Sequence, residues 1–442
     1  MSIIIPANSA VSGGFEASNS LMFNRADSAY LVHTNSGTGS YQKSTFSAWV
    51  KRSSLGTVQT MWNNQVQAGV NQVRFEFDAA DKIYLYGEEG GGYALRALTT
   101  SVYKDLSAWY HVLVIIDTPQ STAADRIKLY VNGVQVTLTF TTTPAQDANL
   151  RMNYNSTPVS VGSTQASSYF NGYMAEVYWI DGTVYATSDF GEFDEDSGIW
   201  KPIDASGLTF GTNGFYLDFE DDSALGNDAA GSNNFTATNL AATDQGIDTC
   251  TNNFATLNPL VQGTSNNART FSDGNTTVVL GRDSASVSSI GVSSGKWYVE
   301  IKCVTDAANP VIGIAEEGSP ATVNPYGGSN LVGVKEYGYV SDGNKKGNAG
   351  SFTSYGATWT TGNTISMAYD ADTGTLWFAK DGAWQASATK TEIENGTTTN
   401  SAFTGLSGLF FFGCCDAATP TGDKFSTNFG NGYFGTTAVS SA

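Results

Sequence analysis

Histidine and cysteine are scarce in this sequence of 442 residues, which contains two histidines and four cysteines. Sites that depend on histidine, such as many zinc centres and Ser/His/Asp triads, therefore have few ways to form. No two cysteines have the CxxC spacing of metal or redox motifs. We expect the cysteines to be small buried residues in strands; they are Cys250, Cys303, Cys414 and Cys415.

Basic residues are also few. The chain has 22 Lys and Arg against 41 Asp and Glu, a formal net charge of −19, and only 14% of its residues are charged. A surface of this sign repels polyanions. Its polarity comes mainly from Ser, Thr, Asn and Gly. We therefore expect neither a nucleic-acid partner nor a membrane partner.

Long apolar runs and a recognisable secretion signal are missing. The first apolar run, Ile3–Ile5, has three residues, whereas the core of a signal peptide needs roughly seven to fifteen. No stretch approaches the ~20 apolar residues of a membrane-spanning helix. We expect the protein to be synthesised in the cytoplasm without a signal peptide and to leave the cell by another route, such as lysis.

Apolar residues recur with a period of two almost everywhere. Ile127, Leu129 and Val131 alternate with polar residues, which predicts a half-buried strand. Asn132-Gly133 and Asp381-Gly382 each lie between two such runs, and these dipeptides favour type I′ hairpin turns. The sequence thus predicts an all-β protein and favours sandwiches or closed barrels. The resemblances described below imply two antiparallel, jelly-roll-like β-sandwich domains. Similar alternation is present over Arg74–Asp78, Lys82–Tyr86 and Trp297–Cys303.

An Asp- and Asn-rich stretch, Asp221–Gln262, interrupts this alternation and has the composition of a linker. We place the domain boundary there. The predicted segments are an N-terminal arm (1–14), a first sandwich (15–220), the linker (221–262), a second sandwich (263–434) and a tail (435–442).

The second half carries five motifs whose order resembles that of a SPRY domain. The resemblance covers nearly all of residues 263–434, and it implies a bent antiparallel β-sandwich that binds partners through its loops and performs no catalysis. The motifs are Gly295–Ile301, Val311–Ala315, Tyr369–Phe378 running into Asp381-Gly382, Gly405–Phe410 and Phe425–Gly430.

The first half resembles a laminin G or concanavalin A-like jelly roll. The residues that carry this resemblance are Ser20–Leu31, Phe46–Lys51, Trp109–Val112, Lys128–Gly133 and Phe170–Tyr178. A jelly roll followed by a SPRY domain is similar to predicted structural proteins of tailed bacteriophages, over residues ~15 to 434. This resemblance implies a location on the exterior of the virion.

The resemblance implies one function, and two alternatives stay open. The first is a non-enzymatic virion structural protein, such as a tail fibre, knob or capsid decoration, that supports host attachment by binding host-surface glycan. The alternatives are a glycan-degrading depolymerase on the jelly roll and a purely decorative protein that binds the capsid. The implied partners are other virion proteins and the glycan. The resemblance also implies a homo-oligomer, with a trimer favoured.

Glycan recognition usually combines an exposed aromatic ring with amide or charged groups, often on loops of a rigid scaffold. Candidates in the first half fall in predicted loops, and those in the second half lie where SPRY domains carry variable loops. For each aromatic candidate, packing in the core is the alternative. The candidate ligand-binding residues are Trp62, Asn63, Tyr93, Tyr326, Lys345, Lys346, Tyr355 and Trp359. Tryptophans assigned to the core are Trp49, Trp109, Trp297 and Trp377.

Glu192 and Asp194 are the nearest approach to the Glu-x-Asp-x-x-Glu pattern of glycosidases with a concanavalin A-like fold. Two residues apart on a strand, they would be separated by ~6–7 Å, which is near the range for retaining enzymes. Ser197 occupies the third position, and glycines flank the segment. We expect an exposed acidic loop here and no catalytic residue.

The run from Asp218 to Asn234 is rich in oxygen ligands and in turn-forming residues. It is similar to a stretch that helps some jelly rolls hold calcium, an ion that takes about six to eight oxygen ligands. Asx-turns explain the same composition without a metal. We expect no cofactor, with calcium as the alternative. The candidate calcium ligands are Asp218, Asp221, Asp222, Asp228 and Asn233.

Overall fold

The computed structural model describes residues 14–67, 70–165, 167–261, 268–281, 284–307, 309–316, 335–347, 351–416, 422–435 and 437–438. Contacts divide the chain into two compact units, of which the first ends at Asn253 and the second begins at Phe254. Both units are built mainly from antiparallel strands, so the predicted all-β fold is confirmed.

The first unit contains strands β1–β18. Short 3-10 turns lie at Arg25–Asp27, Ala123–Asp125, Thr187–Asp189 and Ala242–Asp244. The strands are β1 (Ser20–Phe23), β2 (Tyr30–Thr34), β3 (Lys43–Arg52), β4 (Gln59–Gln67), β5 (Asn71–Phe77), β6 (Ile83–Glu89), β7 (Gly92–Thr99), β8 (Tyr110–Asp117), β9 (Ile127–Val131), β10 (Val134–Gln135), β11 (Leu138–Thr142), β12 (Pro158–Val161), β13 (Gly172–Asp181), β14 (Gly191–Phe193), β15 (Trp200–Pro202), β16 (Phe215–Leu217), β17 (Thr236–Thr238) and β18 (Gln245–Gly246).

Two large sheets form this unit. In the first sheet the strand order is β10-β9-β8-β3-β13-β1-β18, with β16 paired to β13. In the second sheet the order is β11-β7-β6-β5-β4-β12-β2-β17. Apolar residues from both sheets form one core cluster, in which the rings of Trp62 and Trp179 stack with centroids 4.1 Å apart. Strands β14 and β15 form a separate hairpin.

The stretch that composition suggested as a linker is divided between the two units. Its strand β17 pairs with β2 of the second sheet, and β18 pairs with β1 of the first sheet. Phe235 joins the core of the first unit, whereas Leu257 joins the core of the second. A strand pairs at the edge of a sheet through its backbone N–H and C=O groups, whatever its side chains are. The composition of the segment therefore did not reveal these two strands.

The second unit contains strands β19–β33 and one short helix, α1 (Lys390–Glu394). Short 3-10 turns lie at Asp273–Asn275 and Gln385–Ser387. The strands are β19 (Arg269–Ser272), β20 (Thr277–Leu280), β21 (Ser284–Val287), β22 (Lys296–Thr305), β23 (Val311–Glu316), β24 (Glu336–Val340), β25 (Asn344–Gly347), β26 (Thr353–Ser354), β27 (Thr364–Asp370), β28 (Thr375–Lys380), β29 (Ala383–Trp384), β30 (Phe410–Asp416), β31 (Lys424–Asn428), β32 (Tyr433–Phe434) and β33 (Thr437–Ala438).

Two antiparallel sheets also dominate this unit. Their orders are β19-β20-β31-β22-β27-β28-β29 and β21-β30-β23-β24-β25-β26, and β32 pairs with β33. Tyr339 lies at the centre of an aromatic group in the core, with its ring 5.5 Å from those of Tyr355 and Phe378. Within the described ranges, no helix has the length and apolar character needed to cross a bilayer.

Both predicted hairpin turns are confirmed. Asn132 and Gly133 have φ angles of 48° and 76°, and Asp381 and Gly382 have 47° and 79°, as a type I′ turn requires. All four cysteines are buried and reduced, as predicted, although Cys250 lies outside the strands. Of the tryptophans assigned to the core, Trp49, Trp109 and Trp377 are buried. The fourth, Trp297, is only partly buried because it opens strand β22.

Candidate functional site

One face of the second sheet in the first unit points away from the core and carries polar and aromatic side chains. Along β5 and β6, Val73, Phe75 and Leu85 enter the core. Because successive side chains in a strand point to opposite faces, their neighbours lie on the other side of the sheet. We call this side the polar face; it consists of Asn63, Gln72, Arg74, Glu76, Tyr84, Tyr86, Glu88, Tyr93 and Arg96.

A row of directly opposed residues crosses the polar face. Asn63 in β4 is opposite Arg74 in β5, Arg74 is opposite Tyr86 in β6, and Tyr86 is opposite Arg96 in β7. Neighbouring strands are about 4.8 Å apart, so the row spans roughly 15 Å. The row thus joins residues from four neighbouring strands.

Stacking fixes the two arginines of the row. The guanidinium of Arg74 lies 4.2 Å from the centroid of the Tyr86 ring, and that of Arg96 lies 4.5 Å from the Tyr93 ring. Arg96 Nε also donates to the hydroxyl of Tyr84 at 2.9 Å. A guanidinium held over an aromatic ring keeps its remaining N–H donors in a fixed plane. The face therefore presents flat rings and oriented donors together.

Two carboxylates lie among these donors and rings. Glu76 Oε2 is 3.1 Å from Arg74 Nε and accepts from the Thr60 hydroxyl, while Glu88 accepts from the Gln72 amide. Burial is the main cause that raises the pKa of Glu76 above its usual value. Burial, followed by the neighbouring Glu88, also raises the pKa of Tyr86. These ionisable groups are therefore held in a partly dehydrated environment.

The polar face is closed at one end and open at the other. Asn63 is fully buried, and its amide oxygen is one of the buried polar atoms that lack a partner. Gln165, from the loop after β12, donates to the main-chain carbonyl of Gln65 near this end. By contrast, 55% of the Tyr93 side chain is exposed. A ligand would therefore meet the face first at Tyr93 and Arg96.

The outer side of the first sheet offers no comparable surface in the part of the chain that is described, because other segments cover it. Trp200 of β15 packs over His111 with its ring centroid at 5.9 Å. Further along, Tyr178 and Tyr216 stack at 4.3 Å and both donate to the buried carboxyl of Glu176.

The protonation state of His111 follows from its partners. Trp200 Nε1 donates to His111 Nδ1 at 3.1 Å, and an indole N–H can only donate, so Nδ1 carries the lone pair. The neutral ring is then protonated at Nε2, which donates to the Ser47 hydroxyl at 2.8 Å. Burial lowers the pKa of His111 to about 3. This Ser/His pair is a packing feature of a covered face.

The predicted site residues of the first unit lie on opposite faces of one sheet. Trp62, expected in a loop, lies in β4 and is fully buried in the core, so its prediction as an accessible ligand contact is wrong. Asn63 follows it and therefore points to the opposite face. Tyr93 lies in β7 on that same face. The structure thus brings Asn63 and Tyr93 onto the polar face, where ligand binding stays a prediction.

In the second unit, two predicted contacts are wrong for the same reason. Tyr355 and Trp359 belong to the core cluster and are 9% and 2% exposed. Lys345 donates to the carbonyl of Ala402 and lies over the Tyr355 ring. Lys346 lies 4.6 Å from the centroid of the Phe352 ring. Tyr326 lies outside the described residues.

The acidic segment of the first unit is a salt-bridged hairpin rather than only a loop. Glu192 lies in β14, which corrects its expected loop position, and Lys201 Nζ is 3.3 Å from Glu192 and 3.4 Å from Asp194. Asp194 accepts from the backbone N–H and hydroxyl of Ser197. These bonds lower the pKa of Asp194 to about 2, so its carboxyl is a poor general acid.

The candidate calcium ligands are engaged in turns. Both oxygens of the buried Asp228 accept backbone N–H groups, from Tyr216 and Asn233 among others. Asp218 and Asp221 likewise accept the N–H two residues further on. Asn233 donates its own amide to two carbonyls, and Asp222 lines a cavity of about 350 Å³.

These bonds are those of Asx-turns, which explain the composition of the segment without a metal. Among the described residues, no cluster of three or more His, Cys, Asp or Glu side chains could hold a metal ion.

Comparison with protein families assigns both halves of the chain. Residues 25–187 match the concanavalin A-like lectin/glucanases superfamily, through its laminin G model. Residues 296–431 match the SPRY domain. The chain thus contains a region that matches a laminin G/concanavalin A-like domain, followed by a region that matches a SPRY domain. The laminin G/concanavalin A-like match suggests a binding function.

Solved structures resemble parts of the chain at low identity. They include the SPRY domain of human HERC1 (15% identity, 35% of this chain and 89% of that chain, TM-score 0.28). A candidate carbohydrate-binding protein from Bacteroides ovatus shares 16% identity over 51% of this chain and 59% of its own, with a TM-score of 0.36. Domains LG4-5 of the mouse laminin α1 chain share 9% identity over 97% and 90%, with a TM-score of 0.32. None of the curated proteins compared matches.

Several residues of the polar face were not singled out from the sequence, namely Arg74, Tyr84, Tyr86, Glu88 and Arg96. A signal for them was available. The strands Arg74–Asp78 and Lys82–Tyr86 alternate between apolar residues and a second set that contains arginine and tyrosine instead of Ser or Thr. An aromatic residue at a position that should face solvent indicates a surface that is built to contact another molecule.

Proposed function

We propose that this protein is a non-enzymatic structural component of the exterior of a tailed-bacteriophage virion and that it binds a host-surface glycan through the polar face of its laminin G/concanavalin A-like domain. The proposal that the protein binds a glycan rests on the row of directly opposed residues that crosses the polar face. Its arginines are stacked on tyrosines, and carboxylates and amides lie beside them.

The chemistry of the polar face suits a polyhydroxylated chain. The apolar faces of sugar rings pack on aromatic rings, while their hydroxyls need closely spaced donors and acceptors. Tyr93 offers an exposed ring, and Arg96 offers guanidinium donors beside it. The exposed end of the polar face, at Tyr93 and Arg96, is where a sugar unit would be held.

The virion part of the proposal depends on the domain order and the composition. A jelly roll followed by a SPRY domain is similar to predicted phage structural proteins. An acidic chain with a net charge of −19 and few charged residues also resists non-specific adhesion to nucleic acid. Other virion proteins are the proposed partners, and a homotrimer is the proposed assembly.

A glycan array followed by calorimetric titration tests the binding proposal. The full chain is expected to bind a defined set of bacterial surface glycans. Tyr93→Ala is expected to weaken binding by about tenfold or more, as for an aromatic residue at the centre of a contact. Phe193→Ala is the matched control, because Phe193 has a similar exposure, 51% against 55% for Tyr93, but lies in the separate β14–β15 hairpin.

Two outcomes would contradict the glycan proposal. If no glycan is bound, the purely decorative alternative is favoured. If glycan is bound but Tyr93→Ala and Phe193→Ala weaken it equally or not at all, the ligand does not use the polar face.

The proposal also states that the chain does not hydrolyse the glycan it binds. Glu192 and Asp194 both form salt bridges with Lys201, and Glu76 is paired with Arg74. These carboxylates therefore do not provide the general acid and the general base that hydrolysis needs. A reducing-end assay on each bound polysaccharide is expected to show no release of ends. Release that is lost in Glu76→Gln would establish the depolymerase alternative.

Immunogold labelling of intact particles tests the location. Label is expected on the outside of the virion, on either the head or the tail. Label confined to the interior of infected cells would contradict the virion proposal. Sedimentation equilibrium of the purified chain tests the proposed trimer, and a monomer at all concentrations would contradict it.

A further inference from the structure

A buried lysine, a carboxylate and an asparagine meet on the covered outer side of the first sheet. Lys51 in β3 is 1% exposed. Its Nζ lies 2.7 Å from Asp248 Oδ2 and 2.7 Å from Asn253 Oδ1. Asp248 and Asn253 are themselves 3% and 7% exposed. The two partners come from the last residues of the unit, roughly two hundred positions along the chain from the lysine.

The side chain of Asn253 is oriented so that its carbonyl oxygen faces the amine. Asn253 Nδ2 donates to the main-chain carbonyl of Ser107 at 2.8 Å, which turns Oδ1 towards Lys51. Because a C=O bond is about 1.2 Å long, Cγ lies within about 4 Å of Nζ. Reacting atoms in productive geometries are roughly 3–3.5 Å apart, so a small movement brings the amine to the carbonyl carbon.

The carboxylate is placed to move protons between these groups. Asp248 uses Oδ2 for Lys51 and accepts from Trp109 Nε1 with Oδ1 at 3.1 Å. Trp49, Tyr173 and other residues of one apolar cluster surround the group. Burial is the largest influence on Lys51 and lowers the pKa of its ammonium, which favours transfer of its proton to Asp248. A neutral amine is the form that can attack a carbonyl.

We propose that Lys51 and Asn253 condense to an isopeptide bond, with Asp248 as the proton carrier. Lys51 Nζ gives a proton to Asp248 and attacks Asn253 Cγ, which forms the new C–N bond. Asp248 returns this proton to Nδ2 and takes up a second proton from Nζ, and the Cγ–Nδ2 bond breaks. The leaving nitrogen departs as ammonia, which carries the second proton away from Asp248 as ammonium. An amine and a primary amide thus give a secondary amide and ammonia, with no oxidant, reductant or added group.

Such a bond would give the first unit a covalent closure that does not depend on its proposed ligand. It would tie the central strand β3 to the residue at which the unit ends. Almost the whole of the unit would then lie within a covalent ring. Segment 247–253 could no longer be pulled from the sheet without breaking a covalent bond, so the unit would resist force and proteolysis at that end.

Mass spectrometry of the purified full chain tests this proposal directly. The wild-type chain is expected to be lighter by one ammonia, and a protease digest is expected to yield a branched peptide that joins Lys51 to Asn253. Trypsin should no longer cleave after Lys51. Succinimide formation at Asn253 would also remove one ammonia, but it leaves the peptides linear and is opened by hydroxylamine, whereas the isopeptide bond survives that treatment.

Variants then assign the roles of the three residues. Asp248→Asn is expected to leave Lys51 and Asn253 in separate linear peptides, as is Asn253→Ala. Asn252→Ala is the control, since the side chain of Asn252 is turned away to the carbonyl of Ile247, and it should crosslink like the wild type. Crosslinking in Asp248→Asn at the wild-type level would overturn the role of Asp248.

Two results would overturn the bond itself. One is a wild-type digest in which Lys51 and Asn253 appear only in unmodified linear peptides. The other is a chain lacking one ammonia that hydroxylamine converts completely into linear, ring-opened products. Both are read from the wild-type chain, so neither depends on the folding of a variant.

Discussion

The two units bury their ionisable groups in different ways. In the first unit, fully buried cations meet carboxylates from distant parts of the chain: Lys51 pairs with Asp248 at 2.7 Å, and Arg52 pairs with Asp81 at 3.0 Å. Each pair removes two charges from water, which is costly unless the geometry and the additional hydrogen bonds are good. The stability of this unit therefore depends on keeping both partners.

Buried carboxylates of the second unit serve mainly local turns. Asp370 is 3% exposed, and its Oδ1 accepts the backbone N–H groups of Asp372 and Thr373 at 3.1 Å each. Lys296 is the nearest cation, at 3.7 Å, and its own side chain is 44% exposed. Removing such a carboxylate breaks the hydrogen bonds of a turn, but it leaves no buried cation without a partner. The comparison teaches that equal burial does not mean equal dependence on a partner.

The two units also differ in the exposure of the aromatic rings over which cations lie. On the polar face, Arg96 lies over Tyr93, a ring that is 55% exposed. In the second unit, Lys345 lies over Tyr355, a ring that is 9% exposed and belongs to the core. A pairing of this kind indicates a binding surface only where the ring is accessible.

The largest effect is expected from Asp81→Ala. This change leaves Arg52 buried without its carboxylate, and we expect a loss of about 3–5 kcal/mol in the free energy of unfolding. Hydrogen exchange of the amides of β3 and β8 measures the unfolding of this unit specifically. Asp147→Ala is the matched control, because Asp81 and Asp147 both have a left-handed backbone, with φ of 64° and 57°, but Asp147 is exposed. Equal losses in the two variants would mean that backbone strain, and not the ion pair, is responsible.

A pH-dependent effect is expected from Glu176→Gln. Burial raises the pKa of Glu176 to about 7, above its unfolded value, so the folded state holds the proton longer than the unfolded state does. The contribution of Glu176 to stability is therefore greatest at low pH and is lost as the pH rises from about 4.5 through 7. Above pH 7 the variant should exceed the wild type by about 3 kcal/mol, and near pH 4 the difference should vanish.

Chemical denaturation of both proteins between pH 4 and 8.5 measures this difference. A constant difference across the range would show that Glu176 does not titrate in it, which would weaken the contrast between the units.

A smaller loss is expected from Asp370→Ala in the second unit. Two backbone N–H groups of the turn lose their acceptor, but no buried cation loses its partner. We therefore expect a loss of about 1–2 kcal/mol in the free energy of unfolding. The exchange of amides in β27 and β28 reports this loss. Asp342→Ala, which removes an exposed carboxylate that accepts from Asn344, is expected to cost less. A loss as large as that of Asp81→Ala would erase the distinction between the two kinds of burial.

No measurable effect is expected from calcium. Asp228 is a buried carboxylate of the first unit that behaves like Asp370, because its oxygens accept backbone N–H groups. Calorimetric titration with calcium at millimolar concentration should give no binding heat, and the melting temperature should not move. Binding that Asp228→Asn abolishes would restore calcium as a ligand of this segment.

The sequence predicted more of the fold than of the candidate site. Alternation over Ile127–Val131 and the two Gly-containing turns identified strands and hairpins correctly, because these signals are local. In β4 the register shifts between Thr60 and Trp62 and again between Gln65 and Gln67. A bulge breaks the period of two, so the segment resembled a loop and Trp62 was placed on the surface.

The polar face required the tertiary structure for a second reason. Its row joins Asn63, Arg74, Tyr86 and Arg96 from four strands, and cross-strand register depends on how the strands pair. The accessibility of a ring cannot be read from its residue type either. Tyr93 and Tyr355 are both tyrosines near lysine or arginine, yet only the first is exposed.

The sequence by itself determined the all-β class and the strand and turn chemistry, because alternation and positive-φ turns depend on neighbouring residues. The two domain types were indicated by the resemblance of its motifs to those of known families. Only the tertiary structure decided which polar groups are buried as pairs and which share an open face. Lys51 and Asn253, for example, lie at the two ends of a long stretch of chain, and their contact exists only once β3 and the end of the unit are packed together.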